Sequence, residues 1–227
     1  REKNLQIIAC ITMFIILVGL SFMTFYQTTY WKNSFVLYRR ALHVTEGNFL
    51  AHAGLGNELI KYGRIDEGIK HFMTSININP QNLANYMGLV GLGHAYSLKG
   101  RNEDAITVFK QALAINPNLD GAYYQIGIVL ARLGKLDESI VAYRQAIELY
   151  PDHPLYHSSL GNVYLAKGNI DGAINEFQTV LRIQPTNVVA HNNLGMLYMN
   201  QGRTDEAMNH FQEAIRIEPQ FANAHYR

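Results

Sequence analysis

The sequence predicts an all-α chain: a solenoid of helix-turn-helix repeats preceded by one transmembrane helix. Three observations carry this. No charged residue occurs from Leu5 to Trp31. Pro117, Pro151, Pro185 and Pro219 follow one another at intervals of 34 residues, and Pro80 lies 37 before Pro117. Three further columns keep step with the prolines. They are Gly56, Gly93, Gly127, Gly161 and Gly195; Gly63, Gly100, Gly134, Gly168 and Gly202; and Phe72, Phe109, Tyr143, Phe177 and Phe211. A fixed period in this range is the mark of stacked repeats.

The first element is the apolar run. Leu5–Tyr26 is 22 residues, which is about 33 Å as a helix and spans a hydrocarbon core of roughly 30 Å. Arg1 and Lys3 stand at one end, and Tyr26, Tyr30, Trp31 and Lys32 at the other, as interfacial anchors stand. The run is too long for the apolar stretch of a secretory signal, and no small-x-small cleavage site follows it. Residues 1–30 therefore read as a membrane helix with a short flank, and residues 5–26 as the part that meets the lipid bilayer. Lys32, Arg39 and Arg40 balance Arg1 and Lys3, so the charges leave its orientation open.

Each later unit reads as two helices. The first carries an apolar or small stripe, in the third unit Tyr123, Ile126, Gly127 and Leu130. A glycine-bearing turn follows, then a polar start such as Asp137-Glu138 or Asp205-Glu206, where carboxylates suit the amino end of a helix. The second helix has its own stripe, in the fifth unit Ala207, Phe211, Ala214 and Ile215. The proline ends it. Glycine inside the first helix costs roughly 1 kcal/mol of propensity, which predicts a close approach of two helices there, with the large aromatic of the second helix beside it.

These residues resemble the tetratricopeptide repeat (TPR). "LGNVYLAKGNIDGAINEFQTVLRIQP" (Leu160 to Pro185) and "LGMLYMNQGRTDEAMNHFQEAIRIEP" (Leu194 to Pro219) carry its L-G-x-x-Y, A-x-x-x-F-x-x-A and closing proline. The resemblance covers a repeat region at 49–219 and places five units at 49–82, 86–119, 120–153, 154–187 and 188–221, the last running two residues past the closing proline. Residues 222–227 then start a sixth, and the missing polar cap after them predicts further repeats in a longer chain. Gly68 and Ser139 replace the usual alanine, Ser75 and Val180 a later one, and Leu59 and Leu130 the tyrosine. About three extra residues near Leu83–Asn85 lengthen one loop.

Counting back one period places Tyr38 in the aromatic column and Ala41 in the alanine column. Residues 31–48 thus read as a half-repeat, a second helix joining the membrane helix to the solenoid. The other reading of Trp31–Leu42 is an amphipathic helix in the interface.

Composition removes several functions. Net charge is +1 with 16% charged residues, and Lys and Arg are dispersed among Asp and Glu, so no nucleic-acid partner is expected. The single cysteine, Cys10, allows no disulfide framework and no CxxC site. His52, His157, His191 and His225 sit at the repeat's spacing rather than a ligand spacing. No GxGxxG, P-loop, HExxH or GxSxG is present. The Gly91-x-Gly93 pair reads as helix packing. No catalytic residue, cofactor or metal is expected.

Recognition of protein or extended peptide segments remains. The family stacks its units into a right-handed superhelix whose first helices line a concave groove. The resemblance implies that Asn57, Lys61, His94, Tyr124, Gln125, Arg132, Ser158, Asn162, Asn192, Asn193 and Asn200 face it. Amides can pair with both N–H and C=O of an extended peptide, with Asn162 and Asn193 as a candidate pair. The same residues also read as an ordinary solvated face. The family's two-carboxylate clamp fits in part, at Asn162, Asn193 and Arg227, while Ser158 and Asn223 stand where it expects lysines.

The junction "YWKNSFVLYRRALHVTEGN" (Tyr30 to Asn48), between a membrane span and these repeats, resembles the C-terminal part of multi-spanning glycosyltransferases of the protein O-mannosyltransferase type. That resemblance implies a catalytic membrane domain upstream and repeats on the non-cytoplasmic side. Two functions follow: a membrane-anchored interaction scaffold without chemistry of its own, or the acceptor-binding tail of such an enzyme.

Overall fold

The structure is a computed structural model that describes residues 34–78 and 83–219. The apolar run Leu5–Tyr26, the start of the half-repeat at 31–33, and residues 222–227 lie outside the described residues. Eleven α-helices and one short 3-10 turn, with no strand, make up the secondary structure among the described residues. The helices are α1 (Ser34–Val44), α2 (Phe49–Lys61), α3 (Ile65–Ile78), α4 (Tyr86–Leu98), α5 (Asn102–Ile115), α6 (Asp120–Arg132), α7 (Leu136–Leu149), α8 (Pro154–Ala166), α9 (Ile170–Ile183), α10 (Val188–Asn200) and α11 (Thr204–Ile217). None of these helices is long and apolar enough to cross a membrane. The described residues divide into two compact units between Ala95 and Tyr96, unit 1 before that point and unit 2 after it.

From α2 onward a 13-residue helix, here called A, alternates with a 14-residue helix, called B. The turn between A and B is a Schellman motif in every repeat. At Gly63 the glycine N–H bonds Ile60 O, and the next N–H, of Arg64, reaches back to Leu59 O. Gly100, Gly134, Gly168 and Gly202 repeat this pattern, and all five glycines have φ between 74° and 78°. Only glycine enters that region without steric cost, which explains the second glycine column.

The first glycine column has a different cause. A Cβ on Gly127 would lie 2.6 Å from the Tyr143 ring, and one on Gly195 would lie 2.6 Å from the Phe211 ring. The glycine therefore receives the aromatic ring of its own B helix directly; the close approach is of ring to backbone. Departures from the family pattern are also packed. Ser139, where alanine is usual, donates its buried hydroxyl to Gly127 O at 2.8 Å. Ser75 does the same to Phe49 O at 2.8 Å. Buried hydroxyls with such partners avoid the desolvation penalty of an orphaned group.

In unit 1, α1 packs on α2, which packs on α3. The Tyr38 ring lies 2.3 Å from where a Gly54 Cβ would be, and Phe72 stands in the same relation to Gly91. The three extra residues form the 3-10 turn Leu83–Asn85. Asn85 is buried there and donates from Nδ2 to Ile76 O at 3.4 Å.

In unit 2, α6 to α11 stack in order. Phe109, Val129, Leu160, Phe177, Val180 and Leu194 are fully buried. In the third-unit stripe Ile126, Gly127 and Leu130 are buried and Tyr123 is half-buried. The fifth-unit stripe needs correction: Ala207 and Ala214 are buried, but Phe211 is half-buried and Ile215 is 43% exposed. Its counterparts Ile147 and Leu181 pack on the core. No described helix follows α11 to cover Ile215.

Candidate peptide-interaction face

The A helices carry every candidate site residue. In unit 2 the successive A helices α6 and α8 meet through Tyr124 and Tyr156, whose ring centroids lie 4.8 Å apart. Ser159 donates to the Tyr124 hydroxyl at 3.4 Å. Tyr124 also packs on Tyr143 at 5.7 Å, so this ring is wedged between helices and half-buried. The Tyr156 hydroxyl donates to Asp120 at 2.6 Å. Burial, and then that carboxylate, raise its pKa far above the usual phenol range. Burial likewise pushes Tyr143 up to about 12. The Tyr156 hydroxyl is a structural donor, not a base.

Arg132 is exposed but engaged. Its guanidinium donates to Ser97 O at 3.0 Å, to Ser97 Oγ at 3.3 Å and to Asn102 Oδ1 at 3.4 Å. It thereby satisfies a carbonyl at the end of α4, a place where a cation is also favoured by the helix dipole. Arg132, which the sequence places on the groove face, spends one guanidinium nitrogen on these partners.

Gln125 and Asn193 are half-buried, and in repeat register they match Gly54 and Gly91, which face the ring of the preceding B helix. They stand on the edge of the face. Ser158 and Asn192 are half-buried, Asn162 and Asn200 exposed. None of these six side chains makes a hydrogen bond within the described residues, so their donors and acceptors are free for a ligand. In unit 1, Asn57 is exposed and Lys61 pairs with Glu58 at 2.7 Å. His94 is half-buried, and burial lowers its pKa. Asn223, His225 and Arg227 lie outside the described residues.

Sequence reasoning missed the apolar part of this face. Leu155 and Val189 are one period apart and are 50% and 49% exposed. Met196 stands one period after Asn162, and Met199 follows one turn later; they are 45% and 44% exposed. Leu50 and Met87 repeat the first position in unit 1, at 49% and 45%. The signal is an apolar column at the second residue of the A helix: Leu50, Met87, Leu155 and Val189.

The histidine column is likewise paired, not free. Nδ1 of His52 lies 2.9 Å from Nδ1 of His71. His191 and His210 are related in the same way at 3.0 Å, and His157 meets Glu176 at 2.7 Å. No group of three metal-ligating side chains occurs among the described residues.

Comparisons with known proteins agree with this geometry. Family models described as TPR repeat match residues 93–134, 129–168 and 161–202, and a tetratricopeptide repeat model matches 188–221. They are models of a repeat, not of a catalytic domain. No curated protein matches the chain. The chain is similar to a crystal structure of MamA, with 27% identity and a TM-score of 0.66, covering 74% of this chain and 97% of that one. MamA from Desulfovibrio magneticus RS-1 has the same fold at 18% identity, with a TM-score of 0.68 over 78% of this chain and 97% of that one. YrrB, a TPR protein with an unusual peptide-binding site, aligns at 19% identity and a TM-score of 0.63, over 80% of this chain and 92% of that one. With repeat models matched from residue 93 to residue 221, the chain belongs to the tetratricopeptide repeat family.

Proposed function

We propose that the protein is a membrane-anchored interaction scaffold that binds extended peptide segments on its A-helix face. One observation carries the reading: amides with unspent hydrogen-bonding capacity interleave with exposed Leu155, Val189, Met196 and Met199 on α8 and α10. Amides grip peptide backbone with little sequence demand, and methionine adapts to varied side chains. The preferred partner is thus an uncharged extended segment with apolar side chains. The peptide-binding site of YrrB supports such use of the fold. Anchoring rests on the uncharged run Leu5–Tyr26, with α1 as the half-repeat that joins it to the stack.

The test is a screen of the chain against an array of extended peptides, followed by Asn162→Ala with Asn192→Ala. Each net hydrogen bond contributes about 0.5–1.5 kcal/mol. The double variant therefore binds the selected peptides about tenfold more weakly, with an unchanged melting temperature. Equal binding by the variant would sink the reading.

The junction Tyr30–Asn48 favours a second reading, an acceptor-binding tail of a membrane glycosyltransferase of the protein O-mannosyltransferase type. On that reading the selected peptides are glycosylation acceptors, rich in Ser and Thr, and the repeats face the non-cytoplasmic side.

A further inference from the structure

We propose that the open surface cleft between α1, α2 and α3 is a binding site for a phosphate-bearing anion. The cleft holds about 220 Å³ and is lined by Arg39, Leu42, His43, Leu55 and His71. Its location in unit 1 separates it from the A-helix face of α8 and α10, and the inference does not depend on peptide binding there.

The lining has one sign of charge. Arg39 and His43 are four residues apart on α1 and so share a face, while His71 enters from α3. No lining side chain is a carboxylate. Arg39 stacks over the Phe35 ring at 6.0 Å and has no acidic partner among the described residues. The acid that acts on His71 is Glu67, and both its oxygens are held by Arg64 at 2.6 Å. A guanidinium with an unused fork is suited to the paired oxygens of a phosphate. Leu42 and Leu55 form an apolar wall, which strengthens polar contacts made against it.

His71 is prepared to join. Its Nδ1 lies 2.9 Å from Nδ1 of His52, so one ring donates and the other accepts. When His71 accepts, its hydrogen resides on Nε2, the nitrogen left for a ligand. Arg39, His43 and His71 then present donors from two helices to one tetrahedral group. Such a group is available from a free phosphate or from a lipid headgroup.

The experiment uses the full chain, in neutral detergent for inorganic pyrophosphate and in nanodiscs of phosphatidylcholine with or without phosphatidylglycerol. The His43 and His71 ring signals are followed by NMR. Around the cleft the titratable and charged groups are Arg39, Arg40 and His43 on α1, His52 on α2, and Arg64, Glu67, Lys70 and His71 on α3 and its entry turn. Burial holds the His71 pKa below its ordinary value, so this ring meets the anion as a neutral Nε2–H donor. Arg39→Gln weakens anion binding about tenfold, the loss of a charge-assisted contact. Lys110→Gln, an exposed cation elsewhere, changes nothing. Shifts with pyrophosphate identify a soluble phosphate ligand; shifts only with phosphatidylglycerol identify a headgroup. Either supports the site. It is overturned if neither probe moves the ring signals, or if Lys110→Gln weakens binding as much as Arg39→Gln.

Discussion

Nδ1 of His191 and Nδ1 of His210 lie 3.0 Å apart, joining α10 to α11, while Nε2 of His191 lies 3.0 Å from Pro185 O. A carbonyl only accepts, so His191 carries its hydrogen on Nε2 and offers the Nδ1 lone pair. His210 must donate from Nδ1. Two imidazolium rings cannot share this geometry, because both Nδ1 atoms would be donors.

The first prediction follows from that pair. Burial, then the charge of His191, hold the His210 pKa below its ordinary value, against a smaller opposing effect of Glu206. A lowered pKa means that the unfolded chain binds more protons. The stability from this pair is therefore complete above the unfolded value near 6.5 and is lost as pH falls from there towards the folded value. The melting temperature of the last repeat, read by hydrogen exchange between pH 7.5 and 5, should fall with pH. His210→Asn should reduce that slope; an unchanged slope would show that the pair is not its source.

The equivalent site one repeat earlier has the opposite sign. His157 donates from Nε2 to Pro151 O at 2.8 Å and meets Glu176 through Nδ1 at 2.7 Å. The Glu176 hydrogen bond raises its pKa, with burial opposing. Stability here is complete below the unfolded value and is lost as pH rises through the folded one. Glu176→Gln should weaken the fourth repeat at pH 6 by about 1.5–3 kcal/mol, the range for a bond to a charged group. The loss should shrink at pH 8, in denaturant melts at the two pH values.

The helical glycines should respond unequally to alanine. At Gly127 the new Cβ meets three Tyr143 ring atoms within 3.0 Å, an overpacking that costs about 1–3 kcal/mol. At Gly161 the Phe177 ring stands 3.1 Å away, and a gain of roughly 1 kcal/mol in helix propensity offsets the squeeze. Gly134→Ala meets no atom within 4 Å but keeps φ at +74°, which costs roughly 1–2 kcal/mol. Urea midpoints should therefore rank Gly161→Ala highest of the three.

Membrane attachment is tested by alkaline carbonate extraction. The chain with Leu5–Tyr26 intact should stay in the pellet, and one lacking residues 1–30 should be released. Protease added to sealed cells should cut the repeats if they lie outside the cytoplasm; complete protection would place them inside.

The sequence by itself determined the alternation of helices, their starts and the glycine turns, because these depend on contacts within one repeat. The helices α6, α8 and α10 begin at residues 120, 154 and 188, as the proline spacing requires. A left-handed turn at Gly134 follows from chain geometry alone. What only the tertiary structure decided lies between helices. The two nitrogens of His191 and His210 meet across 19 residues because α10 and α11 pack in one register. Packing ties Arg132 to the end of α4 and wedges Tyr124 between two rings. It also leaves Met196 and Met199 uncovered while their neighbour Leu197 is 5% exposed. A one-dimensional pattern records that a residue is apolar or polar; which neighbour covers it depends on the stacking of helices distant in the chain.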